Sequence, residues 1–378
     1  MPRLPVGGAT AADTSDPRPT RASRQFTLVQ ALRGLAALWV VLFHASATDD
    51  FPTLEAALPA PVTEWLFHAG HFGVAIFFAL SGFVIAYSLR SVTFSWGLLG
   101  RFTLRRSLRL DPPYWASIIL VTAFAWLSAY AKHEPFALPA PGQVAAHLLY
   151  LQELLRIPEL NAVYWTLTYE IQFYLFFVLV LVATHMILAP KRAAAAAWGL
   201  FTLLALAGAG GLFGHLLPGL FLSLWDAFFV GALAYAASVH REATYVLFAL
   251  VAAMLARAAI TGDGFAAISA LTGVLFYASL RFNFAETALS WRGLQFLGAI
   301  SYSLYLVHNP VTGAATFLLG HTGLIGSAAR ELLSLLIVIT ATIVSATLFW
   351  VAVERPSHRL SRRIRMDRHR QRDESLKA

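Results

Sequence analysis

The sequence contains no cysteine and few charged residues. Of its 378 residues, none is Cys, 13% are charged and 58% are hydrophobic. The absence of cysteine excludes disulfide bonds, thiolate catalysis and thiolate metal ligands. So small a charged fraction leaves too little polar surface for a soluble globular protein. The composition therefore predicts an integral membrane protein.

Several familiar site signatures are also missing. No glycine-rich phosphate-binding loop is present. The segment Ala79-Leu80-Ser81-Gly82-Phe83 lacks the first glycine of a G-x-S-x-G nucleophile motif. Ser81 and Gly82 are better interpreted as small residues that allow close helix packing. His68 and His71 could share a metal ion, but no carboxylate completes such a site, so we expect no metal.

Long apolar runs predict an all-α, polytopic membrane helix bundle of about ten transmembrane helices. The runs fall at about 28–47, 65–89, 115–131, 163–188, 194–214, 219–238, 243–260, 265–281, 293–318 and 329–353. Pro112 and Pro113 predict the end of a helix before the third span, because proline removes a backbone donor. Pro310 predicts a disturbance within the ninth span.

The basic residues are distributed unevenly between the two sides of this bundle. Four of the 28 Lys and Arg belong with the odd-numbered loops, which leaves 24 with the termini and the even-numbered loops. The four are Lys132, Arg156, Arg257 and Arg330. Because positively charged loops stay inside, both termini are predicted to be cytoplasmic, in the cytoplasmic (inner) membrane. The net charge of +8 is then explained by basic cytoplasmic loops and a basic tail that contacts anionic lipid, so it does not indicate nucleic-acid binding.

The chain divides into three predicted parts. Residues 1–26 have no apolar periodicity and predict a disordered cytoplasmic tail. Residues 27–356 form the transmembrane domain, and residues 357–378 a basic cytoplasmic tail. A rival interpretation of the N-terminal region is a secretory signal peptide, because Ala45-Ser46-Ala47 follows an apolar run and imitates a cleavage site.

The first predicted helix contains two isolated polar residues, Arg33 and His44. They are 11 residues apart, so they point to one side of the helix with a separation of about 16 Å along its axis. Ionisable side chains inside a membrane are costly and usually functional. Alternatively, Arg33 extends to the cytoplasmic surface and His44 lies at the outer interface.

An arginine cluster precedes the third span. Arg101, Arg105 and Arg109 are spaced by four residues and form one helical stripe, with Arg106 beside it. Four guanidinium groups could bind the phosphates of a nucleotide, because each can form bidentate contacts. The alternative is that they only fix the topology and contact lipid headgroups.

Two further spans contain candidate site residues. Glu170 lies among aromatic residues near the same outer boundary as His44 and could orient its imidazole. An interfacial glutamate facing water is the alternative. Ser301, Tyr305 and His308 share one helical face and could line a cavity. They could equally belong to an interfacial aromatic belt.

Taken together, these stretches resemble the acyltransferase 3 family, which includes membrane O-acetylases of surface carbohydrate. The resemblance rests on Arg33 to His44, HFGVAIFFALSGF, RRSLRLDPPYW, YWTLTYEIQFY, SYSLYLVH and VERP, in that order. It implies an acyltransferase that transfers groups other than aminoacyl groups. The donor implied is cytoplasmic acyl-CoA, most often acetyl-CoA, as a co-substrate and not a permanently bound cofactor. The acceptor implied is a hydroxyl of a carbohydrate or glycoconjugate.

The family's functional residues can be matched to positions of this chain. The resemblance assigns catalytic roles to Arg33, His44 and Glu170, with His44 as the general base. It assigns donor binding to an arginine motif matched by Arg105, Arg106 and Arg109, beside which Arg101 lies. Small departures occur at Thr166, often serine in the family, and at Ala79, often valine. Because cleavage after Ala47 would remove the matched Arg33 and His44, the resemblance also favours a retained first helix.

A transporter or flippase is the alternative function. In that case Arg33, His44 and Glu170 would line a substrate or proton path through the membrane. Inverted repeats would favour this alternative, and the sequence contains no convincing internal repeat.

The charge asymmetry makes a testable prediction about topology. Reporter fusions after residues 55, 140 and 325 should report outside, and fusions after 100, 287 and 370 should report inside. Paired alkaline phosphatase and green fluorescent protein fusions provide the measurement, since each is active on one side only. A C-terminus that reports outside would contradict both the orientation and the number of helices.

Overall fold

The computed structural model describes residues 26–47, 51–213, 218–322 and 326–366. Within these ranges the chain is all-helical, with 81% helix and no strand, which confirms the predicted all-α fold. Most of the predicted N-terminal tail, residues 1–25, lies outside the described residues, as does the end of the basic tail, residues 367–378.

The described residues up to position 187 form eight α-helices and two short irregular helices. They are α1 (Thr27–Ser46), α2 (Pro52–Ala57), α3 (Ala60–Thr63), a π-helical turn (Glu64–His68), a 3₁₀ turn (Ala69–Phe72), α4 (Gly73–Leu89), α5 (Trp96–Lys132), α6 (Pro141–Leu148), α7 (Gln152–Leu155) and α8 (Trp165–Ile187).

Another eight α-helices occur in the part of the chain that the structure describes from residue 190 onward. They are α9 (Pro190–Ala209), α10 (Trp225–Val239) after a 3₁₀ turn (Phe221–Leu224), α11 (Arg241–Thr261), α12 (Gly264–Arg281), α13 (Arg292–Ala299), α14 (Ser301–Gly320), α15 (Ala328–Phe349) and, after a π-helical turn (Trp350–Glu354), α16 (Arg355–Ser361).

The lengths of these helices agree with a polytopic membrane protein. Within the described ranges, nine helices are long and apolar enough to cross a membrane. These are α1, the continuous segment 60–89, α5, α8, α9, the segment 221–239, α11, α12 and the segment 328–361. The remaining predicted span corresponds to α14, whose 20 residues include the polar series Ser301 to Asn309. The last helix continues to Ser361, past the domain boundary predicted at residue 356, and packs against α5.

Glycine residues bring α4 and α10 into backbone contact. A Cβ atom on Gly231 of α10 would overlap the carbonyl oxygen of Ala79 on α4. Reciprocally, a Cβ on Gly82 would overlap the carbonyl oxygen of Phe228. Small residues allow this approach in membrane helices, where association depends on close packing. Gly82 therefore has the packing role that the sequence indicates.

The first helix is held in the bundle by the same kind of contact. Gly34 of α1 lies against Gly298 of α13, with the backbone nitrogen of Gly298 only 2.7 Å from where a Cβ on Gly34 would lie. Gly70 and Gly73 similarly approach backbone carbonyls of α1. Because α1 also packs against α4 and α14, it is an internal element of the bundle.

The predicted helix end at Pro112 and Pro113 is wrong, because α5 runs through both prolines from Trp96 to Lys132. Proline normally breaks a helix by removing a hydrogen bond and crowding the preceding turn. Here side chains from other elements hold the helix at this point. The Tyr302 hydroxyl donates to the carbonyl of Leu110 at 3.0 Å, and the Tyr150 hydroxyl donates to Asp111 Oδ1 at 3.0 Å. Such tertiary support is what makes proline tolerable in a membrane helix.

The predicted ninth span also differs in detail. It consists of two helices, α13 and α14, separated at Ile300. The break is stabilised by Glu354, which accepts a hydrogen bond at 3.0 Å from the backbone N–H of Ser303 in the first turn of α14. A carboxylate at a helix N-terminus satisfies a backbone donor that lacks an intrahelical partner. Pro310 does not end α14, which continues to Gly320.

The contact between α4 and α10 can be tested with a single added methyl group. We expect Gly231→Ala to prevent stable folding, because its Cβ has no space against the backbone of α4 and overpacking costs at least about 1–3 kcal/mol. Gly199→Ala is the matched control, since a Cβ on Gly199 in α9 meets nothing within 4 Å. Thermal unfolding and size-exclusion profiles in detergent provide the measurement, and equal stability of the two variants would contradict the packing.

Candidate active site

A cavity of about 90 Å³ lies between α1, α4, α5, α8 and α14. Its volume is several times the roughly 10–15 Å³ needed to hold one water molecule. Apolar residues, mostly of α4, form part of its wall. The polar lining residues are Arg33, Ser81, Arg106, Arg109, Thr166, Glu170, Tyr174, Ser301, Tyr302 and Tyr305.

Several residues predicted from the sequence meet in this cavity. Arg33 comes from α1, Arg106 and Arg109 from α5, and Glu170 from α8. Ser301 and Tyr305 of α14 also line it. Four other candidates, Arg101, Arg105, His44 and His308, are not among the lining residues. Within the arginine cluster, Arg106 and Arg109, which are three residues apart, face the cavity. Of the predicted stripe at spacing four, only Arg109 is among the lining residues.

Glu170 is held by residues of three helices. It accepts a hydrogen bond from Ser81 Oγ at 2.6 Å and another from the Tyr174 hydroxyl. Arg106 Nη2 lies 3.9 Å from Glu170 Oε1, and its guanidinium lies 3.6 Å from the centre of the Tyr174 ring. These contacts differ from the predicted pairing with His44. A partly buried carboxylate is best stabilised by a cation and donors, and α4, α5 and α8 itself supply both.

A second carboxylate, Glu354, has a role that the sequence reasoning missed. It is 8% exposed and accepts hydrogen bonds from the backbone N–H of Ser303 at 3.0 Å and from Ser303 Oγ at 2.6 Å. Arg33 and Arg109 both interact with it electrostatically. The available signal was an acidic residue directly after a long apolar run, at the closing VERP.

The charges around the cavity do not cancel. Three arginines, Arg33, Arg106 and Arg109, line it, whereas the carboxylates that interact with them are Glu170 and Glu354. With all five groups ionised, three positive and two negative charges leave one positive charge in excess. A low-dielectric enclosure strengthens the field of such an excess charge. The cavity is therefore suited to an anionic ligand.

His44 and His308 lie together beyond the cavity wall. Their ring centres are 5.0 Å apart, and His308 is fully buried. The Tyr305 ring, which lines the cavity, lies 5.8 Å from the ring of His308 and 5.8 Å from the ring of Phe77. A series of ring contacts therefore connects the cavity to His44 through Tyr305 and His308.

The predicted outer side of the bundle contains further titratable groups. His68 Nε2 lies 3.5 Å from Glu55, and His71 Nδ1 is 2.8 Å from the carbonyl oxygen of His68. Sequence alone did not identify Glu55 as a neighbour. Among the described residues, no group of three or more His, Asp or Glu could hold a metal ion.

Burial raises the pKa of the Glu153 carboxyl above its ordinary value, and a hydrogen bond with Glu159 raises it further.

An ion-pair network joins four other helices away from the cavity. Arg257 of α11 lies 3.0 Å from Asp226 of α10 and 3.1 Å from Asp263 at the start of α12. It also donates to the carbonyl of Gly208 in α9 at 2.7 Å. Because the Arg257 charge has two carboxylate partners and a carbonyl acceptor, this network holds the helix ends together.

A known protein family matches most of this chain. The family model Acyl_transf_3, described as an acyltransferase domain, matches residues 28–354. The matched segment includes the three arginines that line the cavity, the carboxylates Glu170 and Glu354, and also His44 and His308. No curated protein and no solved structure gives a significant match. Because the match covers nearly the whole chain, the protein belongs to the acyltransferase 3 family and is a membrane-embedded acyltransferase.

Proposed function

We propose that this protein is an O-acyltransferase of the cytoplasmic (inner) membrane. It transfers an acyl group, with acetyl as the first candidate, from cytoplasmic acyl-CoA to a hydroxyl of a carbohydrate or glycoconjugate. The observation that carries this proposal is the excess positive charge of a cavity lined by Arg33, Arg106 and Arg109. An acyl-CoA is an anion with several phosphate oxygens, and its thioester is a reactive acyl donor.

The arginines of α5 supply the donor site in this proposal. Guanidinium groups bind phosphate through paired, charge-assisted hydrogen bonds. Arg106 and Arg109 face the cavity, whereas Arg101 and Arg105 lie earlier on the same helix, toward the predicted cytoplasmic side. The phosphates would contact the arginines of α5, and the pantetheine arm would extend inward past Arg33. Acyl-CoA is then a co-substrate that leaves as CoA after each turnover.

His44 is the proposed general base. The acceptor hydroxyl gives its proton to His44 while its oxygen attacks the thioester carbonyl, and a new C–O bond forms. The C–S bond then breaks, and the CoA thiolate takes the proton from His44. Atoms and charges balance, and the products are the acyl ester and CoA. General-base assistance of this kind typically contributes about 10²- to 10⁴-fold in rate.

The rings of Phe77 and Tyr305 stand between the two parts of the proposed site. Both line the cavity and contact each other, while Tyr305 also contacts the ring beside His44. In this proposal the pantetheine arm displaces these rings when the thioester approaches His44. Glu170 keeps Arg106 in position through its contacts with Ser81 and Tyr174, and does not itself orient His44.

The donor site makes a prediction about binding. We expect Arg106→Gln and Arg109→Gln each to weaken acetyl-CoA binding by about 10- to 100-fold, because a charge-assisted contact to phosphate is lost. Lysine at either position should restore affinity only in part, since the bidentate geometry is lost. Arg281→Gln is the matched control, because Arg281 is an exposed arginine at the end of α12 outside the cavity. Equal affinity of all variants in detergent would overturn the donor site.

The base makes a separate prediction about turnover. We expect His44→Gln to bind acetyl-CoA normally but to lose about 10²- to 10⁴-fold in rate, because an amide can accept a hydrogen bond but cannot take the proton. His71→Gln, an exposed histidine whose ring also contacts Phe43, should remain active.

The rate can be measured as CoA thiol released in the presence of a glycoconjugate extract. The protein contains no cysteine, so it adds no thiol signal of its own, and the extract without enzyme gives the background. Normal turnover in folded His44→Gln protein would show that His44 is not the base. Acyl transfer itself would then be tested separately, by measuring the mass of the modified acceptor.

A further inference from the structure

The hydrogen bonding of His308 defines its tautomer. His308 Nδ1 lies 2.8 Å from the carbonyl oxygen of Tyr305 and 3.2 Å from that of Leu304. A backbone carbonyl can only accept a hydrogen bond, so Nδ1 must be protonated. In a neutral imidazole the other nitrogen, Nε2, is then an acceptor with a free lone pair.

The Nε2 atom of His308 is buried without a partner. Within the described residues it has no hydrogen-bond partner, and the side chain is 0% exposed. A protonated Nε2 would be an unpaired donor on a buried cation, which is far more costly than an unpaired lone pair. His308 is therefore neutral, and it presents an acceptor in the protein interior that still lacks a donor.

Among the described ring contacts of His308, the ring of His44 has its centre nearest to that of His308. The two ring centres are 5.0 Å apart and the ring planes are inclined by 52°. The other described ring contact of His44 is with the edge of Phe43, which offers no acceptor. Since His308 Nε2 has no partner among the described residues, a hydrogen bond with His44 requires a rotation of the partly buried His44 side chain, and the 5.0 Å between the ring centres is short enough to allow one.

We propose that His308 is the positioning residue of His44. The Nε2 atom of His308 accepts a hydrogen bond from the ring nitrogen of His44 that faces it. This bond keeps the proton on that nitrogen and leaves the opposite nitrogen of His44 as an unprotonated base. The inference rests on the proposed function, because it explains how His44 would be prepared to accept a proton from the acceptor hydroxyl.

A neutral partner suits this place in the membrane. In many enzymes a carboxylate holds the catalytic histidine in the correct tautomer and stabilises the imidazolium. In the protein interior, where His308 is fully buried, a carboxylate would need its own compensation, since an unpaired buried charge is costly. A neutral imidazole with a fixed lone pair can hold the His44 ring in one tautomer in the same way, without a permanent charge. When His44 becomes an imidazolium, its bond to His308 Nε2 becomes charge-assisted and therefore stronger.

Two substitutions at His308 separate this role from simple packing. An asparagine amide can reach the position of Nδ1 and keep the bond to the Tyr305 carbonyl, but it provides no acceptor at the position of Nε2. A glutamine amide is longer and provides a carbonyl oxygen there. We therefore expect His308→Asn to release His44 and His308→Gln to hold it.

The direct measurement is the tautomer of His44 in full-length protein in lipid nanodiscs. Protein labelled with ¹⁵N-histidine contains 12 histidines, and His44→Gln identifies the signal of His44 by its loss. We expect one His44 tautomer in the wild type and in His308→Gln, and exchange between both tautomers in His308→Asn. Thiol release in the Asn variant should fall by about 10²-fold, the lower end of what a general base contributes, with unchanged acetyl-CoA affinity, and it should recover in the Gln variant.

The outcomes distinguish the two proposals. A single, unchanged His44 tautomer in folded His308→Asn protein would overturn the positioning role, even if His44 is essential for turnover. Normal turnover of His44→Gln would remove the base, while the tautomer measurement would still decide whether the two rings are coupled. If His308→Asn does not fold, the Gln variant decides alone, because mixed His44 tautomers in it would overturn the inference.

Discussion

The structure depends on how three guanidinium groups are accommodated inside a membrane protein. Arg33, Arg106 and Arg109 line one cavity, and burial of such charges is affordable only with partners nearby. Glu170 of α8 and Glu354, in the turn before α16, supply negative charge, and each is fixed by serine or tyrosine donors. The same carboxylates tie α8 to α4 and the last helix to α14. The contacts that compensate the buried charges are therefore also contacts that hold the helices together.

The site has two parts with different chemistry. The cavity is rich in cations and can hold an anion, whereas the neighbouring pair of histidines has aromatic neighbours, with Phe43 against His44 and Tyr305 against His308. Tyr305 belongs to both parts, because it lines the cavity and contacts His308. In the proposed mechanism this separation keeps the base, which must be neutral in its resting state, away from direct contact with three arginines. The proposal also gives binding and proton transfer to different residues.

Sequence predicted the helices well and the contacts between them poorly. The apolar runs identified the spans. The isolated polar residues Arg33, Arg106, Arg109 and Glu170 line one cavity, because polar side chains in a bilayer gather where they can be compensated, whereas the sequence analysis paired Glu170 with His44. The partner of Glu170 and the continuation of α5 through Pro112 were not predictable, since both depend on side chains from distant parts of the chain. Membership of the acyltransferase 3 family now favours transfer chemistry over the transporter alternative.

The length of α5 has a consequence for the membrane in which the protein works. Its 37 residues extend over about 56 Å at 1.5 Å per residue, whereas the hydrocarbon layer is only about 30 Å thick. A helix with this much excess length can match thin and thick bilayers by changing its tilt or the portion that protrudes. Its proline pair lies next to the turn that bears Arg106 and Arg109. A change in lipid thickness therefore changes the depth in the bilayer at which these two guanidinium groups lie.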